Sequence, residues 1–407
     1  MHALRALRCS LPRAHRLSMS TVTAPASSGL ASLFDPSDEH VALRGMLREF
    51  VATEVDPQSL EHNRKELFNV NLFRKLGGLG LLGITVDPQY GGSGMDAVAA
   101  VIAHEELASS DPAFCLSYLA HSMLFVNNLA QNGNHEQKLK YLPKACSGEW
   151  IGGMGMSEPG AGTDVLGMST TAVASADGSH YTINGAKMWI TNGTINGSDT
   201  GDVFLVYAKT GAGRGSGDLT SFLVEKGTPG FSLGQKITDK CGMRASHTAE
   251  LVFDNVKVPA ANVVGKVGGA TLCMMRNLEI ERLTLAAMSL GIARRCIEIM
   301  GSYSRERIAF GKPIGDFGQT QKAIAESYAE VRPRRSLCPP PPPPPPPPPH
   351  SLTHSPTHRP PPHHLHPTPA VHGWQELRVQ RGQAPRPGEL RQRPRLGRRQ
   401  TILRAHG

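Results

Sequence analysis

The sequence predicts an α+β multidomain protein: an N-terminal helical domain, a middle β-barrel or sandwich domain, a C-terminal helical domain, and a disordered Pro/His/Arg-rich tail. Three observations predict it. At 407 residues the chain is longer than one hydrophobic core usually organises. Its apolar period changes from helical to strand-like near Trp150 and back near Gly269. Past Val331 periodicity gives way to a proline run and an arginine-rich end. The expected divisions are residues 1–34, 35–150, 151–265, 266–330 and 331–407.

Residues 1–34 hold Arg5, Arg8, Arg13 and Arg16, several serines and no acid, the composition of a mitochondrial or plastid transit peptide, the mitochondrial one favoured, or else of a disordered terminus. From Asp35 the pattern HVALRGMLREFVATEV puts Val41, Leu43, Met46, Leu47 and Phe50 on one helical face. NLFRKLGGLGLLGI reads as another helix, followed by a turn-rich PQYGGSG at 88–94. Two more helices follow through AVAAVIAHEEL and FCLSYLAHSMLFVNNLA, with Asp111-Pro112 as cap and first-turn proline. No apolar run approaches the roughly 18–20 residues of a membrane span.

After Trp150, YTINGAKMWI carries Asn184-Gly185 between β-prone runs, which predicts a hairpin there. DVFLVYAK, TSFLVEKG and AELVFDNVKV read as short strands between Gly/Asp/Pro turns. Helical pattern resumes near Gly269 and runs through TQKAIAESYAEV. Pro339–Pro349 is then unbroken proline, which has no internal hydrogen bonds and closes no core. As function, such a tract would be an SH3- or WW-type ligand, and its seven histidines from 350 to 372 a loose metal binder.

The formal charge of +9 suggests nucleic acid until it is located. Residues 332–407 carry +11 and residues 1–34 carry +4, which leaves 35–331 at −6. The basic character therefore belongs to the ends, and the body gives no case for nucleic acid. Seven cysteines occur without a CxxC pair, so neither a disulfide framework nor a metal site is indicated.

At the helical–β junction stands MSEPGAGTD, Met156 to Asp164, where small residues let a backbone approach a planar or phosphorylated ligand. Trp189-Ile190-Thr191-Asn192-Gly193 sets an aromatic plane beside a hydroxyl. Each alone is equally a turn or a piece of core. Taken in order with CLSYLAHS at 115–122, GMRAS at 242–246, LEIERLTLA at 278–286 and RIAFGKPI at 307–314, they are far more specific. This combination resembles the acyl-CoA dehydrogenase family, and most closely its isovaleryl branch, from Asp35 to about Glu330.

The resemblance implies a helical domain, a β domain and a four-helix bundle, the last incomplete here, binding FAD and an acyl-CoA. It implies that residues 154–163 wrap the flavin, with Met154, Met156, Ser157 and Gly162 beside it and Thr163 also reaching CoA. Trp189 and Ile190 would flank the isoalloxazine and Thr191 would bond near N5. Arg307 would meet the FAD pyrophosphate of a neighbouring subunit, which implies a homo-oligomer, a tetramer in the family. Ser216, Glu279, Ile280 and Arg282 are the remaining substrate-side expectations. Electron-transferring flavoprotein would be the redox partner and the mitochondrial matrix the location.

The reaction so implied removes an α-proton from a saturated thioester while a β-hydride passes to flavin N5. Its base must be a carboxylate whose pKa burial has raised toward that of the thioester. The isovaleryl branch places it in an LxLER helix motif, here Leu278-Glu279-Ile280-Glu281-Arg282, which assigns Glu281. Independently, Glu281 shares a helical stripe with Leu285, Met288 and Ile292, where a carboxylate is costly unless paired or used. First-turn stabilisation of the helix, or an ion pair with Arg282, is the alternative role for Glu281, and Glu279 is the competing carboxylate. Gly318, Leu272 and Arg276 depart from the family pattern and bear on the acyl preference.

The family pattern stops near Glu330. Codons permitted for His372–Gly407, read one nucleotide later, can spell a family-like continuation, so a retained intron over Val331–Val371 is expected. Two other functional readings follow: a truncated, non-catalytic product, and an interaction protein using its Pro-rich tail. Bound flavin separates them from the enzyme reading.

Overall fold

The computed structural model describes residues 35–213 and 215–336. The expected transit peptide and the expected Pro/His/Arg-rich tail from Leu337 onward lie outside these described residues.

Helix α1 (Asp38–Phe50) starts where the Ser37 hydroxyl accepts the His40 N–H, with Asp38 and Glu39 in its first turn. It continues through a π-helical turn (Val51–Val55) into α2 (Asp56–Lys65), which ends on Glu66 at a left-handed φ of 55°. Helices α3 (Val70–Gly78) and α4 (Ala97–Ala108) are capped by Asn69 and Asp96. Asp111 caps α5 (Pro112–Leu119), as its Asp-Pro pair predicts. A second π-helical stretch (Ala120–Asn127) carries this helix on into α6 (Asn128–Asn132), and α7 (His135–Ser147) follows behind an Asn134/Gln137 capping box.

Pro112–Asn132 is long and apolar enough to cross a membrane, contrary to the run-length reading; yet 83% of that window is buried inside the fold. Its apolarity is that of a core helix. On α1, Leu43 and Leu47 are buried as expected, whereas Val41 is 55% exposed. The apolar stripe is narrower than the sequence suggested.

The β region is one eight-stranded sheet. Its strands are β1 (Gly152–Gly155), β2 (Thr171–Ala174), β3 (His180–Thr191), β4 (Val203–Lys209), β5 (Leu219–Glu225), β6 (Phe231–Ile237), β7 (Thr248–Pro259) and β8 (Val263–Val264). The order is β6-β7-β3-β2-β4-β5-β8, with β1 parallel to β4. Phe231 of β6 packs against Phe204 of β4, and Tyr181 of β3 against Phe222 of β5. Strands distant in this order thus share one core, so the sheet curls on itself.

Strand β4 is buried on both faces. Phe204, Val206 and Ala208 enter the core of the curled sheet, while Val203, Leu205 and Tyr207 pack with Phe125, Val126 and Leu129 of the helical domain. A continuous apolar strand is what this two-sided burial requires.

The expected Asn184-Gly185 hairpin is corrected. Strand β3 runs straight through it, with a bulge between Ile183 and Gly185 against β7. Gly185 has φ 145° and no room for a side chain beside Thr170, while the Asn184 side chain accepts the Asn255 N–H at 2.8 Å. The β2–β3 turn is instead Asp177-Gly178, where Gly178 has φ 71° and Ser175 N–H meets the His180 carbonyl at 2.9 Å.

Helix α8 (Ala270–Glu306) returns across the helical domain. Gly291 lets it approach α4 so closely that a Cβ there would strike the Glu105 carbonyl. One turn on, Arg294 holds buried Glu106 through two bonds of 3.0 and 2.6 Å, and Arg44 of α1 reaches the same carboxylate at 2.5 Å. Strands β9 (Ile308–Ala309) and β10 (Lys312–Pro313) form a small hairpin before α9 (Gly318–Ser336). The last helix therefore runs five residues past the expected break at Val331.

Candidate active site

Two walls face each other at the junction of helices and sheet. His121 aligns them. Its Nδ1 accepts the Gly152 N–H of β1 and its Nε2 donates to the Ala145 carbonyl, both at 3.0 Å. Burial pushes this imidazole down to about 4, so it stays neutral, with one nitrogen accepting and one donating.

The β wall follows from β1. Past Met156 the chain turns back on itself, with Glu158 and Ala161 exchanging both backbone bonds at 3.0 and 3.1 Å. Lys187 of β3 clamps this turn, donating to Glu158 at 2.8 Å and to the Met156 carbonyl at 3.1 Å. Burial alone would raise Glu158; the Lys187 ammonium and the two Ser169 donors override it and hold the carboxyl at about 2. Past Lys187 a second bulge breaks the β3–β7 register and sets Trp189 at φ 60° and Asn192 at φ 62°. A left-handed tryptophan is rare, and this one stays half exposed at the cavity rim.

The helical wall comes from α8 and the α5–α6 helix. Met274, Asn277, Leu278 and Glu281 recur at the spacing of one helical face. Ala120, Leu124 and Asn128 lie opposite, spaced by four residues. Between the walls is a cavity of about 320 Å³.

Of the expected residues, Met154, Met156, Ser157, Gly162, Trp189, Ile190, Thr191 and Glu281 border this cavity together. A Cβ at Gly162 would meet nothing in the protein, and neither the Ser157 nor the Thr191 hydroxyl bonds to another described residue. The β wall thus presents an aromatic face, free hydroxyls and an uncrowded glycine, which fits a planar ring with polar edges.

The Glu281 carboxylate makes no hydrogen bond or ion pair with any described residue, the Thr284 hydroxyl bonding only its backbone carbonyl at 3.0 Å. Burial raises its pKa, with Arg282 opposing more weakly. Neither alternative for it holds: Glu281 sits eleven residues into α8 rather than in its first turn, and no ion pair to Arg282 forms. Of its expected stripe, Met288 is buried and Ile292 packs against the helical core, but Leu285 is exposed.

Thr163, Ser216, Glu279, Ile280, Arg282 and Arg307 do not border the cavity. Thr163, Glu279, Arg282 and Arg307 are exposed, and Ile280 packs against the helical core. Ser216 opens a 3-10 turn whose carbonyl accepts the Thr271 hydroxyl at 2.8 Å. Sequence reasoning missed Ala120, Leu124, Asn128, Met274, Asn277 and Leu278. Stepping back from Glu281 by three, four and seven residues would have found those on α8.

Comparison with known proteins gives one consistent family. Models described as the acyl-CoA dehydrogenase N-terminal, middle and C-terminal domains match residues 37–149, 153–256 and 268–339. A mitochondrial isovaleryl-CoA dehydrogenase of Solanum tuberosum is 42% identical over 306 residues, 75% of this chain and 72% of that protein. The structure of butyryl-CoA dehydrogenase from Megasphaera elsdenii matches with TM-score 0.70 and 35% identity, covering 74% of this chain and 78% of that one. A glutaryl-coenzyme A dehydrogenase in complex with glutaryl-CoA matches with TM-score 0.70 and 36% identity, over 74% and 75% of the two chains.

Proposed function

The chain belongs to the acyl-CoA dehydrogenase family, flavin-dependent oxidoreductases acting on CH–CH donors, and on that footing we propose that it oxidises a short branched acyl-CoA. Isovaleryl-CoA is the first substrate to test, giving 3-methylcrotonyl-CoA as in leucine catabolism. One observation carries the reading. Glu281 is a carboxylate without a partner among the described residues, its pKa raised by burial, across one cavity from Trp189, Thr191 and Ser157.

Thr191, Ser157 and Trp189 would hold FAD against the β wall, with Met154, Met156, Gly162, Thr163 and Ile190 around it. Bound there, the flavin supplies the two-electron acceptor for the hydrogen leaving the β-carbon. The chain's own residues do the rest. Glu281 removes the α-proton, and its partial desolvation strengthens it as a base. Leu124, Ala120 and Leu278 line the helical wall, a surface suited to a branched alkyl group. Thr163, Ser216, Glu279, Ile280 and Arg282 are proposed on the CoA side, outside the cavity as it stands. Arg307, exposed behind the β9 hairpin, is proposed to act on the cofactor of a second subunit in a homotetramer. Electron-transferring flavoprotein is the proposed oxidant of the reduced enzyme, and the mitochondrial matrix its proposed location.

The test is the absorbance spectrum of the purified chain. The expected result is bound flavin that bleaches on addition of isovaleryl-CoA. A chain loaded with FAD that stays oxidised in the presence of saturated acyl-CoAs overturns the reading.

A further inference from the structure

We propose that Asn277 is a further catalytic residue, donating a hydrogen bond to the thioester oxygen while Glu281 takes the α-proton. The inference rests on the proposed role of Glu281. Asn277 is 2% exposed and borders the same cavity. Its Oδ1 accepts the Asn127 amide at 2.9 Å, and Asn127 in turn accepts the Thr85 hydroxyl at 2.8 Å. The Nδ2 of Asn277 has no partner among the described residues. An amide of a cavity-lining residue, held by a buried relay with its own donor buried and unmatched, costs stability that packing does not recover. A ligand that brings an acceptor recovers it.

The position of that acceptor follows from the helix. Asn277 precedes Glu281 by four residues on α8, so the two side chains share a face, separated by about 6 Å along the axis. A base and a donor so placed can address neighbouring atoms of one ligand. When the α-C–H bond breaks, the proton goes to the Glu281 carboxylate and the electron pair delocalises onto the carbonyl oxygen, two bonds from the α-carbon. The pair returns to form the α,β double bond as the β-hydrogen departs with its own electrons to the bound flavin. Charge therefore appears transiently on the oxygen, where a preorganised donor acts most strongly. The other amide on this wall, Asn128, already donates to the Tyr207 hydroxyl at 3.2 Å. The Ser157 and Thr191 hydroxyls belong to the opposite wall.

The experiment isolates proton removal from oxidation. 3,3-Dimethylbutyryl-CoA has α-hydrogens and no β-hydrogen, so the full FAD-loaded chain can exchange its α-hydrogens with D2O but cannot oxidise it. Exchange is followed by mass spectrometry in wild type, Asn277→Ala and Asn277→Asp. The aspartate keeps the shape and the acceptor facing Asn127 while removing the donor, so one variant remains informative where alanine unfolds. The expected result is exchange slower by about 10²–10³, with bound flavin retained and ligand affinity within about tenfold of wild type. Exchange at the wild-type rate in either folded variant, or a loss confined to affinity, overturns the assignment. Wild type that fails to exchange, or Glu281→Gln that exchanges normally, overturns the proposed base and the inference with it.

Discussion

The Lys187 ammonium lies 2.8 Å from the Glu158 carboxylate with both side chains almost wholly buried, and this pair fastens the Met156–Asp164 turn to the strand that ends in Trp189 and Thr191. Two segments about thirty residues apart are joined in one wall by this ion pair, by the Lys187 bond to the Met156 carbonyl and by the Met188 N–H bond to the Ser157 carbonyl. The geometry of the pair sets the first prediction.

Lys187→Met leaves Glu158 buried without its counter-charge, and such a loss costs about 3–5 kcal/mol. Urea unfolding of the variant should show that drop, and flavin should dissociate more readily. The double variant Lys187→Met/Glu158→Leu should recover most of the stability. Equal stability of the single variant and the wild type would refute the role given to this pair.

Glu281 has its pKa raised by burial, with Arg282 opposing, so its unfolded value is the lower one. The folded state then holds the proton more tightly, and ionisation costs stability as pH rises through and above the unfolded pKa. Glu281→Gln should therefore raise the melting temperature at pH 7 more than at pH 3. The same substitution should retain flavin and abolish its bleaching by acyl-CoA. Turnover by the wild type should increase with pH as the carboxyl ionises.

Glu106 shows the opposite sign. Burial alone would raise it, but Arg294, Arg44 and Arg48 bring its carboxyl down to about 2. This contribution is complete above the unfolded carboxyl pKa and is lost as pH falls toward about 2. Arg294→Leu should cost about 3–5 kcal/mol at neutral pH by leaving that charge short of its bidentate partner. Measured from pH 5 to pH 2, the variant's stability should fall less steeply than the wild type's.

Two glycines of α8 should respond oppositely to alanine. At Gly291 the added methyl meets the Glu105 backbone, which cannot rotate away, so Gly291→Ala should lose about 1–3 kcal/mol. At Gly301 the nearest atom is an Arg305 guanidinium nitrogen at 3.7 Å, so Gly301→Ala should gain up to about 1 kcal/mol. Thermal unfolding of both variants under one buffer condition decides the matter.

Much of this protein was legible from local signals. Asp111-Pro112 capped a helix as written, and the strands around Val203, Leu219 and Thr248 lie where alternation and turns put them. Asn184-Gly185 misled because dipeptide preference reports φ freedom, and both a tight turn and a bulge consume it. The short strands around Gly152 and Thr171 carry too little pattern to read, although pairing with β4 and with β3, respectively, makes them strands. Arg294 and Glu106 are 188 positions apart, and no window along the chain relates them.

The order of helical, β and helical regions, the Met156–Asp164 loop and the carboxylate at Glu281 came from the sequence, because periodicity and motif spacing are properties of neighbouring residues. Which groups share a cavity was decided only by tertiary structure. Burial on both faces of β4 brings the two domains together, the bulge before Ile190 turns Trp189 to the rim, and the close crossing at Gly291 sets the line of α8. These place Asn277 beside Glu281 at the cavity wall and leave Ser216 and Arg307 away from it, since packing between distant segments, not local preference, fixes where each side chain lies.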